Sequence, residues 1–147
     1  PDINLGLILT SIVIDIERIG DYTKNIVELA VSVPGPFDGL ELADEVAWVE
    51  ARVTEMFDDI VPMLDSSDVD LARSVIEAHG GVAQKVDKHV AALSSGQALS
   101  GRSGHAVTVA IYLRFLKRVS AHLKNVATSV VNPYYRIGFR EKEESED

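Results

Sequence analysis

Four long segments of this chain repeat apolar or small residues in alternating steps of four and three, and that rhythm constrains its fold more than any other feature. The first carries the rhythm on Ile12, Ile16, Ile19, Thr23, Ile26 and Ala30, and the second on Leu42, Val46, Val49, Val53, Met56, Ile60 and Met63. The third continues it on Val69, Ala72, Ile76, His79, Ala83, Val86, Val90 and Leu93, and the fourth on Val109, Leu113, Leu116, Ser120, Leu123, Ala127 and Val130. Steps of four and three keep one stripe on one side of a helix of 3.6 residues per turn, whereas a strand would need strict alternation, which occurs nowhere here.

Breakers separate the segments: "VPGPFDG" at 33–39, "LDSSD" at 64–68, "LSSGQALSGRSG" at 93–104 and "NPYYRIG" at 132–138. The pattern predicts helices near residues 3–33, 41–63, 68–94 and 105–131. With short to moderate inner connections, such stripes bury one another in an all-α, antiparallel, up-and-down bundle of four long helices. Ser67 followed by Asp70 reads as a capping box opening the third helix, Pro34 and Pro133 stop the first and fourth, and Pro62 is expected to kink or end the second. Ala72, Ala83, Ser120 and Ala127 would let helix backbones approach closely and pack tightly.

Length and composition narrow the function. At 147 residues the chain fits one domain, 1–147, long enough to bury roughly 68–70% of its unfolded surface. It has no cysteine, which excludes disulfides, thiolate metal sites and cysteine nucleophiles. A net charge of −9, with an acidic end "REKEESED" that predicts partial disorder within 133–147, argues against sequence-independent nucleic-acid binding and favours basic partners. The most apolar run, "LGLILTSIVI", is about half of the ~20 residues a membrane span requires, so it reads as a buried helix rather than an anchor. Pro1, with no methionine before it and no signal-peptide pattern, is compatible with a fragment or a processed chain.

Chemistry-bearing residues are few. Glu17 and Asp21 in "IERIGDYTKN" (16–25) lie four apart, hence on one side of a helix, just off the apolar stripe. Two carboxylates so spaced can form one edge of a site for a hard cation, or simply a solvated face beside Arg18 and Lys24; Glu55 with Asp59 and Glu41 with Glu45 share the spacing. A second copy, "LKRVSAHLKN" (116–125), keeps Arg118, Lys124 and Asn125 but has Lys117 and Ala121 where the acids stood. His79 falls on the third stripe, where a hydrogen-bonded core histidine is expected. No histidine follows a glutamate by three residues, and no HExxH, nucleophile elbow, phosphate-cradling loop or EF-hand is present; "GRSGHAV" reads as a flexible connection. A binding protein, not an enzyme, is expected.

The run Ile16-Glu17-Arg18-Ile19-Gly20-Asp21, with Asn25, Ile26 and Glu28, resembles the motif helix of PhoU-type phosphate-uptake regulators, "E-R-I-G-D-x-x-x-N-I-x-E". "MLDSSDVDLARSVIEAHGGVAQKVDKHV" resembles the turn and third helix of that family's repeat, and "YLRFLKRVSAHLKNVATSVV" a second motif helix, so the resemblance covers nearly the whole chain. It implies tandem three-helix units, here the motif helix of one repeat followed by one whole repeat. It also implies a cytoplasmic regulator that restrains phosphate import and damps the starvation-sensing histidine kinase, peripheral to the membrane through these partners and homo-oligomeric. Glu17 and Asp21 match the family's metal-binding pair, implying a divalent or ferric ion (Fe, Zn, Ni or Mg), while Lys117, Ala121 and "IEAHGGVAQKV" imply that the second unit holds no metal. Alternative expectations are the cytoplasmic tail of a sodium/phosphate cotransporter and a structural bundle without metal.

Overall fold

The stripes become four helices in the computed structural model, which describes residues 3–33, 35–37 and 39–141. In order they are α1 (Ile3–Val31), α2 (Ala43–Ser66), α3 (Val69–Ser94) and α4 (Ser103–Val131), followed by a 3-10 turn at Tyr134–Arg136. No strand occurs among the described residues. Cross-helix pairs give the directions. Glu45 meets Lys85 and His89 while Trp48 meets Gly81, His79 meets Ser120 while Asp87 meets Lys117, and Asp15 meets His122 while Tyr22 meets Phe115. In each set a later residue on one helix faces an earlier one on the other, so α2/α3, α3/α4 and α1/α4 are all antiparallel.

Helix α4 is the hub. It packs against α3, α1 and α2, while α2 and α3 also pack on each other to complete a three-helix unit. Its buried set, from Val109 through Leu113, Leu116, Ser120 and Leu123 to Ala127, is the expected stripe widened by Val119, Val126 and Thr128, because three neighbours cover more of its circumference than one. Ser120, Ala127 and Ala72 are fully buried, which suits close helix approach. The stripe on α2 is buried at Leu42, Val46, Val49, Val53, Met56 and Met63, with Ile60 half-buried.

The first helix departs from expectation. It packs against α4 and the 3-10 turn and not against α2 or α3. Its buried line runs Ile8, Ile12, Asp15, Ile19, Tyr22, Ile26 and Leu29, with Ser11 and Asn25 half-buried beside it, still in steps of four and three but shifted by one at alternate places. Ile16, expected in the core, is 51% exposed. The shift brings a carboxylate, Asp15, into the seam in its place.

Two punctuation readings also need correction. Pro62 does not end α2, which runs on to Ser66. The backbone donor that proline lacks would serve Asp58, an exposed residue whose carbonyl water can satisfy, and the helix resumes for its last turn. The α2–α3 turn uses Ser67 and Asp68 rather than a Ser67–Asp70 box. Ser67 adopts a left-handed conformation (φ 52°), its N–H reaching Leu64 O, and Asp68 N–H reaches Met63 O, a Schellman ending. Asp68 then caps α3 by accepting from Leu71 N at 2.9 Å, a bond of about 1 kcal/mol.

The stop assigned to Pro34 falls outside the described residues; α1 ends at Val31. Residues 142–147 of the acidic end also lie outside them. The part before them folds back along α4. Gly138, at φ +89°, donates its N–H to Thr128 Oγ1 at 2.6 Å, Lys124 Nζ donates to Gly138 O at 3.1 Å, and Asn132 donates to Phe139 O at 3.0 Å. Arg73 of α3 then grips Glu141 with two hydrogen bonds, of 3.0 and 2.8 Å.

Candidate functional site

Glu17 and Asp21 project from α1 on the side away from α4, both exposed. Asp21 Oδ2 lies 3.4 Å from Arg18 Nη1 across one helical turn, and Lys24 pairs with Glu28 at the same distance. Exposed pairs of this kind contribute about 0–1 kcal/mol. The equally spaced pair Glu55 and Asp59 is similar, with Glu55 bound to Arg52 on the surface of α2. Hard cations take about six oxygen ligands. Among the described residues no group of three or more His, Cys, Asp or Glu comes together, so there Glu17 and Asp21 make an edge and not a closed shell.

The polar centre of the α1/α4 seam lies one turn before this pair. Asp15 Oδ1 accepts from His122 Nδ1 at 2.7 Å and from Asn125 Nδ2 at 2.9 Å, joining residues more than a hundred positions apart. The side chains of Asp15 and His122 are only 14% and 20% exposed. Tyr22 stacks on the His122 ring at 5.8 Å and leans on Phe115 at 6.0 Å. A carboxylate drawn into a helix seam is costly unless its lone pairs are used, and here one oxygen serves two donors. The second motif copy supplies both donors, since His122 and Asn125 belong to "LKRVSAHLKN". The two copies are thus locked to each other, the first by a residue just outside its motif.

Sequence reasoning missed this cluster. The available signal was Asp15 in register with Ile8, Ile12, Ile19 and Ile26, but nothing in one sequence says which helix faces it. His79 stands as expected, half-buried on α3 and bonded through Nδ1 to Ser120 Oγ at 2.9 Å. His89 is more deeply buried, at 7% exposure, with Nε2 3.6 Å from Glu45 Oε2. Glu45 also binds Lys85, and that hydrogen bond holds its carboxyl below the usual range; Lys85 in turn lies 4.6 Å above the Trp48 ring.

At the other end of the α1/α4 seam, Ile26, Leu29, Ala30, Val33 and Phe37 line a largely apolar pocket of about 210 Å³ with Glu50 and Tyr112. Tyr112 donates to Glu50 at 2.6 Å, and burial, reinforced by that bond, pushes its phenol well above the ordinary range. Where the second copy lacks acids, Lys117 donates twice to Asp87 of α3, at 2.7 and 2.6 Å.

A further open feature is apolar. Nine large apolar side chains of α1 are exposed: Ile3, Leu5, Leu7, Leu9, Val13, Ile14, Ile16, Val27 and Val31. They flank Glu17 and Asp21 on both sides along the helix. No helix among the described residues is long and apolar enough to cross a membrane. No protein-family model, no curated protein and no solved structure matches the chain.

Proposed function

We propose that this chain is a PhoU-like regulatory domain that works by binding, docking at the cytoplasmic face of a phosphate transporter or on its phosphate-sensing histidine kinase. The observation that supports this reading is the outer face of α1. The helix bearing the motif "IERIGD" is fixed to the bundle along one side, leaving a long apolar surface beside a charged patch. A contiguous apolar surface of this kind marks an interaction site. Net charge −9 favours a basic rim on the partner, which speeds encounter and weakens with salt.

The metal belongs to the same reading. Glu17 and Asp21 would take up a divalent or ferric ion only with waters or with acids from beyond the described residues. Calorimetry on Glu17→Ala/Asp21→Ala, with Glu55→Ala/Asp59→Ala as matched control, tests it: uptake is lost in the first variant alone.

The docking reading is tested with the full chain and purified transporter components and kinase. Val13→Ser/Ile16→Ser should lose binding while its circular dichroism stays that of the parent. Absence of binding to either partner at both low and high ionic strength, or undiminished binding by the variant, overturns it. The tail of a sodium/phosphate cotransporter is the second reading, favoured by the apolar character of α1 on all sides from Ile3 to Ile14, which suits a neighbouring part of one larger protein. Protection of that stretch in a full-length cotransporter would select it.

A further inference from the structure

Three cations of α4, Arg114, Lys117 and Arg118, line a pocket of about 200 Å³ together with Ala121 and with His79 of α3. Such a gathering is unexpected in a chain of net charge −9. Among the described residues only Asp87 answers it, bound to Lys117 and 3.5 Å from Arg114, so three positive charges against one negative leave the wall at +2. Arg118 has no ion pair or hydrogen bond from its side chain among the described residues. Lys124, whose Nζ donates to Gly138 O, adds a further positive field.

The histidine sets a chemical preference. Ser120 Oγ donates its single proton to Lys117 O at 2.8 Å, so at its 2.9 Å contact with His79 the imidazole Nδ1–H must be the donor. The neutral ring then carries its lone pair on Nε2. Burial first, and then Lys124 and Lys117, hold His79 below the 6.5 ordinary for histidine, so the ring is neutral at pH 7. Cations alone accept any anion, but a bare imidazole nitrogen repels an oxygen lone pair and attracts an O–H.

We propose that this pocket binds a small oxyanion that still carries a proton, of the hydrogen-phosphate class, held by Arg118 and Lys117 and read by His79. Arg118 offers the planar fork that suits tetrahedral oxyanions, and Lys117 a point charge. At about 30 Å³ of liquid volume per water, the cavity has room for the anion. Lys117 and Ala121 are the positions where the first copy carries Glu17 and Asp21, so the second copy has exchanged a cation edge for an anion cradle. The charges and the cavity support this site without any role in phosphate transport.

The test follows the imidazole resonances of His79 in the full chain while inorganic phosphate, glycerol phosphate or sulfate is added at constant ionic strength. Phosphate should shift His79 saturably, whereas glycerol phosphate, mostly a proton-free dianion at pH 7, should bind more weakly. Sulfate, lacking a proton at pH 7, should bind at least about tenfold more weakly, and Arg118→Gln should weaken phosphate about tenfold. Asp87→Asn should tighten binding by removing the competing carboxylate, and Arg52→Gln on α2 should leave it unchanged. A shift that does not saturate, or one indifferent to Arg118→Gln in a folded variant, overturns the site; sulfate binding as tightly as phosphate overturns the reading by His79.

Discussion

Helices α1 and α4 carry two copies of one sequence motif, have the same length and lie against each other, yet they live in different surroundings. Three neighbours cover α4, and even its Ser120, Thr128 and Ser129 are buried. One long helix covers α1, and its buried apolar residues come down to Ile12 and Ile19. A stripe rule sees two amphipathic helices in these sequences. How much of each is buried depends on how many partners surround it, which is a property of the assembly and not of the segment.

The contrast predicts where the chain is vulnerable. Leu113→Ala, at a residue 1% exposed in the middle of α4, should destabilise the whole bundle by about 2–5 kcal/mol, read as a lower midpoint in urea unfolding. A cost below about 1 kcal/mol would mean that α4 is not the hub. Asp15→Ala leaves His122 Nδ1 and Asn125 Nδ2 without their acceptor in the seam and should cost about 1–3 kcal/mol. Hydrogen exchange should show the loss concentrated in α1, because α2 and α3 do not depend on it; uniform loss across the four helices would show the two copies to be less different than they look.

Smaller effects refine the same contrast. Tyr112→Phe removes the bond to Glu50 that joins α4 to α2, and should cost about 0.5–1.5 kcal/mol in the urea midpoint while leaving exchange in the N-terminal half of α1 unchanged. His79 acts on the α3 side of α4 and shows itself through pH. Its folded pKa lies below the ordinary 6.5, so the unfolded chain binds the proton more readily. The stability linked to its neutral ring is complete above pH 6.5 and is lost as pH falls through the lower folded value. His79→Gln should therefore flatten the acid-side decline in stability over that window, and an unchanged slope would remove His79 as its source.

The helices were legible because their stripes are long and their breakers dense; α3 ends at Ser94 and α4 at Val131, where the pattern placed them. Pro62 and Ser67 misled for a local reason: one missing donor near a solvent-facing helix end is tolerated, and a serine can take the left-handed position a glycine usually fills. The register of α1 misled for a tertiary reason. Apolar periodicity favours Ile16 over Asp15, and only the arrival of His122 and Asn125 from the far end of the chain makes a carboxylate the better seam residue. The basic pocket was invisible for the same reason, since His79 and Arg118 meet only once α3 and α4 are paired. Glu17 and Asp21 were legible as a pair on one exposed helix face, and no third ligand joins them among the described residues.

The central claim is that α1 is fixed to α4 along the line of Ile12, Asp15 and Ile19, leaving Ile16 on an open face. Urea unfolding of Ile12→Ala and Ile16→Ala, at a concentration where the chain is monomeric, tests it directly, since the two residues differ chiefly in burial, 4% against 51% exposed. Ile12→Ala should cost about 2 kcal/mol or more, and Ile16→Ala no more than about 0.5 kcal/mol. Equal costs, or a larger one at Ile16, would put the seam on the line the apolar periodicity alone predicts and would contradict the polar lock between the two motif helices.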